Sequence, residues 1–185
     1  CVAFIILFTE DILLYRLLLM KKERNFLMML KKQQMIYKIL LLFFLSFSVS
    51  QADLIKPNNS IKPQQVVEIQ LKSLQKNDTP NTDNGIKQTW EFAHPDNKKN
   101  TGPLDRFKVM LKGKSYKILL NHLEYEIIQV NSTDLVVLFE VRVLGGDKSY
   151  YKFKWQVERY NKEGSLKNCW LTTMVSAPMP LGSSI

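Results

Sequence analysis

The chain has 185 residues, 45% of them hydrophobic, and a formal net charge of +9. Residues 53–185 hold 19 Lys+Arg against 14 Asp+Glu, a scattered excess that excludes the dense basic stripe nucleic-acid binding needs. Cys169 is the only cysteine after residue 53, which excludes an internal disulfide there. Two histidines without metal-ligand spacing offer no zinc site.

Residues 1–34 carry apolar patches at Ile5 to Phe8 and Leu13 to Met20, separated by Glu10 and Asp11. A spanning helix needs about 20 apolar residues, and an acid at its centre costs roughly 2.5–3.5 kcal/mol, so this segment is a poor span. It reads as an upstream extension, with Met35, Met28 or Met29 as the start. The other reading is an uncleaved anchor, with Lys21, Lys22, Arg24, Lys31 and Lys32 on the cytoplasmic side.

Residues 35–52 read as a signal peptide. Met35-Ile36-Tyr37-Lys38 is a short basic start, Ile39 to Val49 is an uncharged apolar run, and Ser50-Gln51-Ala52 puts small residues where a signal peptidase reads. The expectation is cleavage after Ala52, a mature start at Asp53, a periplasmic or secreted location, and no stable membrane span afterwards. The remaining chain of about 130 residues is long enough to bury roughly two-thirds of its unfolded surface as one domain.

Residues 53–62 are polar and Pro-interrupted and read as a linker. Three helices are predicted next. Pro63 opens the first, with Val67, Leu71 and Leu74 on one face, and Asn77-Asp78 and Pro80 stop it. Asp83 or Asn84 caps the second, which carries Ile86, Trp90 and Ala93 and ends at Pro95. Pro103 starts the third, with Leu104, Phe107 and Leu111 as its stripe and Gly113 just past its end.

After Gly113 the period changes from 3.6 to 2. Strands are predicted over Tyr116 to Asn121, Leu123 to Val130, Leu135 to Leu144, Tyr151 to Glu158 and Cys169 to Ala177, with a hairpin at Gly145-Gly146-Asp147. Val137, Phe139, Val141 and Val143 share one face, as do Tyr151, Phe153, Trp155 and Val157; such alternation puts one face on a core and one in water. The order predicts an α+β fold over residues 63–178, three N-terminal helices on a curved four- to five-stranded antiparallel sheet, with residues 179–185 as a flexible tail.

Several blocks then fall together: Val66-Val67 through Gln70-Leu71, Asn77-Asp78-x-Pro80, Asp83-x-Gly85-Ile86, Thr101-Gly102-Pro103-Leu104-x-Arg106-Phe107, Tyr116-x-x-Leu119-Leu120-Asn121-His122 and Cys169-Trp170-Leu171-Thr172. Over roughly Pro63 to Ala177 the chain resembles the family known as domain of unknown function 4864. That family in turn looks like a member of the nuclear-transport-factor-2-like (cystatin-like) α+β cone group. The resemblance implies a pocket between helices and inner sheet face, walled here by Trp90, Phe107, Tyr151, Phe153 and Trp155, and it carries no catalytic residues. The cone hosts both enzymes and binding modules, so fold alone does not choose.

His122 is the best general-base candidate, since an unshifted imidazole titrates near neutrality. Strand parity places it with Glu124 and Glu126 on the wet side. Asp105, in the first turn of a helix, suits the helix dipole, and Tyr116 could assist either as a proton donor. His94, before Pro95, could bind free helix-end carbonyls. Cys169 reads as a buried, inert thiol. There is no Gly-rich phosphate loop and no G-x-S-x-G elbow, so no cofactor is expected. An exported module holding a small apolar ligand or a protein partner, as monomer or homodimer, is favoured over a cofactor-independent isomerase, dehydratase or hydrolase using His122 or Asp105.

Overall fold

The computed structural model describes residues 20–40 and 53–183. The chain falls into two units, one up to Ser50 and one from Gln51 onward. In the first, residues 20–40 form a helix, α1, exposed along its described length. No described helix is long and apolar enough to cross a membrane. Most of the predicted apolar run and the whole Ser50-Gln51-Ala52 cleavage site lie outside the described residues.

The second unit is mixed α+β, with an antiparallel sheet that does not close on itself. Its helices are α2 (Pro63–Gln75), α3 (Asn84–Glu91), α4 (Pro95–Thr101) and α5 (Leu104–Lys112), followed by a 3-10 turn at Lys117–Leu119. The strands are β1 (Glu124–Ser132), β2 (Val136–Leu144), β3 (Ser149–Arg159), β4 (Trp170–Val175) and β5 (Met179–Ser183). They run in the order β1-β2-β3-β4, and β5 shares the β4 side of β3. The long β3 makes this possible: Ser149 to Lys152 pair with β5, and Trp155 to Arg159 pair with β4.

The alternation read in β2 and β3 holds. Val137, Phe139, Val141, Val143, Phe153, Trp155 and Val157 are all buried, while Lys154 is exposed. Val66, Val67, Leu71 and Leu74 of α2 and Phe107 and Leu111 of α5 join them in one core. Their spacing of three and four residues is what brings one helix stripe onto the sheet.

The α2–α3 corner rests on Gly85 and Asn77. Asp83 takes the N-cap position of α3 in the left-handed region (φ 62°), and its side chain makes no cap bond. The predicted capping by Asp83 or Asn84 is therefore corrected. Buried Asn77 does the work from outside the helix: its backbone carbonyl accepts Gly85 N–H at 2.9 Å and its Oδ1 accepts Ile86 N–H at 3.1 Å. Two otherwise unpaired helix-start donors are thereby satisfied.

Four further expectations are revised. Pro95 does not merely end a helix; it opens α4 at a position where its missing N–H costs nothing. Tyr116 to Asn121 is not a strand but a turn, closed by Asn121 in the left-handed region (φ 54°) donating its N–H to Leu74 O at 2.9 Å. The predicted loose tail, residues 179–185, is a strand over its described length, because an edge position tolerates Pro180 and a register shift at Tyr150/Tyr151 absorbs the irregularity. The predicted linker, residues 53–62, forms no regular element yet is fixed to α3. Ile55 exchanges two hydrogen bonds with the Gln88 amide (2.7 and 2.8 Å), and Lys56 pairs with Glu91 at 2.9 Å.

Candidate functional site

A cavity of 190 Å³ lies where α2, α3, α4 and α5 meet β3 and β4. Phe107 and Leu111 on α5, Leu74 on α2 and Trp155 on β3 supply its apolar wall. Tyr116, Met110 and Met174 stand around it, with Met174 36% exposed. Among the described residues, no Asp, Glu, His, Lys or Arg lines it.

Its floor is a buried polar relay. The Trp155 indole N–H donates to Thr172 Oγ1 at 3.2 Å, Thr172 donates to Gln70 Oε1 at 2.6 Å, and Gln70 Nε2 donates to Thr89 O at 3.0 Å. Gln70 is 1% exposed and Thr172 3%, so each would be costly to bury without these partners. Local folding puts them there. Ala93 and Thr172 form an isolated parallel bridge, in which Thr172 N–H donates to Phe92 O (2.8 Å) and His94 N–H donates to Thr172 O (2.9 Å). The α3–α4 connection is thus laced to β4, and Asn97 of α4 adds a bond to Thr172 O at 3.4 Å.

Of the predicted wall, Phe107 and Trp155 line the cavity. Trp90, Phe153 and Tyr151 do not. Trp90 packs beside Phe107 with centroids 4.9 Å apart and carries the Lys98 ammonium 5.4 Å from its ring centre. Burial pushes the Lys98 pKa down. Phe153 is fully buried in the core. Tyr151 leans to the hairpin, where its hydroxyl donates to Asp147 Oδ2 at 2.6 Å.

Of the candidate acid–base groups, only Tyr116 reaches the cavity, and its hydroxyl donates to Val175 O at 3.2 Å. Asp105 stands on the surface, 91% exposed, accepting from Lys108 Nζ at 2.9 Å. His122 lies outside the cavity too, and its predicted wet position is corrected: it is 2% exposed. Strand parity does not reach it because His122 precedes β1, just after the turn that Asn121 closes. Its Nδ1 sits 2.8 Å from Leu119 O and therefore carries the proton, while its buried Nε2 has no hydrogen-bond partner among the described residues. The Tyr125 ring packs edge-on at 5.6 Å. His94 also differs from expectation: Nδ1 accepts Asp96 N–H at 3.1 Å, capping the start of α4 instead of binding carbonyls. Cys169 is buried, and burial pushes its thiol pKa up.

Burial holds the His122 pKa below its ordinary value, with the hydrogen bond to the Leu119 carbonyl acting in the opposite direction. The unfolded chain, with an imidazole pKa of about 6.5, therefore takes up a proton that the folded chain refuses. Stability is fully present above about pH 6.5 and is lost as the pH falls from there through the depressed folded pKa. Denaturant midpoints should fall from pH 7.5 to 5 in the wild type and fall less in His122→Gln. Parallel pH profiles for the two would show that His122 does not set this limb.

The relay residues Gln70, Thr89 and Thr172 escape a reading built on aromatic faces. One signal was present: Gln70 interrupts the apolar face of α2, three residues after Val67 and four before Leu74. A polar side chain there must find a buried partner. Among the described residues, no group of three or more His, Cys, Asp or Glu is placed to hold a metal ion. No family model, no curated protein and no solved structure matches the chain.

Proposed function

We propose that the α+β unit is an exported binding module that holds a small, mainly apolar molecule in the cavity between its helices and β4. The observation that carries this reading is a 190 Å³ space walled by Phe107, Leu111 and Trp155 with no charged side chain on its lining. Ligand sites are concave, mostly apolar, and furnished with a few convergent polar groups, here Gln70, Thr172 and Tyr116. Catalysis by proton transfer would need a base within reach of a bound molecule, whereas His122 and Asp105 lie elsewhere. The helices-then-sheet order and the motif blocks from Val66 to Thr172 support kinship with the cone group named above.

A ligand that binds only the folded state adds about 2.7 kcal/mol of stability at a hundred times its Kd. The melting temperature should therefore rise progressively with concentration for at least one member of a panel of toluene, phenol and indole. A flat response to all three at millimolar levels would sink the binding reading.

Export rests on the leader, residues 35–52. Mass spectrometry of the mature protein should find Asp53 at the N-terminus. An intact N-terminus upstream of Met35 would reject cleavage.

A further inference from the structure

The hydrogen bonds around the cavity run in one direction. An indole N–H can only donate, so Trp155 fixes Thr172 Oγ1 as an acceptor. The Thr89 carbonyl can only accept, so it takes the Gln70 NH₂; that turns Gln70 Oε1 toward Thr172, which commits its own proton to it. The remaining hydroxyls have placed their protons elsewhere as well. Thr89 donates to Gly85 O at 2.9 Å, Thr101 to Asn97 O at 2.8 Å, Tyr116 to Val175 O at 3.2 Å, and Thr173 to Gln156 O at 3.4 Å while accepting from Gln156 Nε2 at 3.2 Å. A hydroxyl has one proton and two lone pairs, so what these five groups can still offer is lone pairs. The donors left over are one N–H each on Gln70 and Asn97, and acceptors outnumber them.

Charge and size narrow the occupant further. With no acid or base on the described lining, a bound carboxylate or ammonium would lose water without gaining a counter-ion. An apolar cavity of roughly 150 Å³ admits benzene. At 190 Å³ this one has room for a ring with a short polar substituent or a fused second ring, beside the aromatic faces of Phe107 and Trp155.

We propose that the cavity selects an uncharged small aromatic molecule carrying an O–H or N–H donor, as phenol and indole do, and rejects both its carboxylate counterpart and the analogue without a donor. This rests on the binding reading above and adds the chemistry of the ligand's head. A donor on the ligand's head can use these lone pairs, which the analogue without a donor leaves unused.

The test is titration of the full chain with phenol, indole, toluene and benzoate, followed by calorimetry and by the ¹H–¹⁵N signal of the Trp155 indole, assigned from its loss in Trp155→Phe. Phenol and indole should saturate with Kd at least tenfold below that of toluene, benzoate should not saturate, and the Trp155 signal should move with the two donors. If toluene or benzoate binds as tightly as phenol while moving that signal, the donor rule is overturned and the binding reading stands. If none of the four moves the signal, both fall.

Discussion

Gly85→Ala is expected to cost ~3 kcal/mol or more, at or beyond the upper end of what an added methyl does in a packed interior. A Cβ at Gly85 would fall inside the backbone carbonyl of Ser73 on α2 and 2.9 Å from Cα of Asn77. Neither obstacle is a side chain that can rotate away. Relief requires α3 to back off from α2, and that pulls Gly85 N–H and Ile86 N–H off Asn77. Buried Asn77 would then be left with polar groups unpaired, at a further cost of about 1–3 kcal/mol if the separation is complete. Gly146→Ala is the matched control, because a Cβ there meets nothing within 4 Å. Its stability should change by about 0.5 kcal/mol or less. Urea melts decide the matter: a large drop in midpoint for Gly85→Ala alone supports the close helix contact, and equal midpoints would refute it.

Trp155→Ala should cost ~3–5 kcal/mol, a large share of the stability typical of a domain this size. The indole is 1% exposed, packs in the main core, and anchors the relay that orders Thr172 and Gln70. Trp155→Phe keeps most of the ring burial and removes the N–H, so it should cost nearer 1 kcal/mol for the lost hydrogen bond plus a modest packing loss. Its neighbour Lys154 points to the opposite face and is exposed; Lys154→Ala should change stability by about 0.5 kcal/mol or less. The same melts would count against the strand register if Trp155→Ala and Lys154→Ala behaved alike.

The strands were the most legible part of the fold, because β2 and β3 are amphipathic over nine and eleven residues and a period of two admits only two registers. Helix α4 was not legible. Its seven residues, PDNKKNT, bury none of their number, so no apolar stripe marks it, and only the proline at its start hints at a helix. His122 was misplaced because parity counts only along a continuous strand, and β1 begins at Glu124, two residues beyond it. In the site, large rings were readable as wall material, yet only Phe107 and Trp155 reach the cavity. Which rings face a void is set by where α4 and β4 are laced together, a contact between residues far apart in sequence. Gln70 and Thr172 are read as ordinary polar residues until the fold buries them side by side.

That last contact has a consequence in time. Gln70 and Thr172 are separated by 102 positions, so the floor of the cavity is closed by one residue near the beginning of the domain and one near its end. At a synthesis rate of roughly 5–20 residues per second, about 5–20 s pass between the appearance of the first and the second. During that interval α2 and α3 can pair through Gly85, but Gln70 Oε1 has no Thr172 hydroxyl to accept from. The domain therefore cannot close the floor of its cavity before β4 has been made. Its binding space comes into being in a single late event, when β4 arrives.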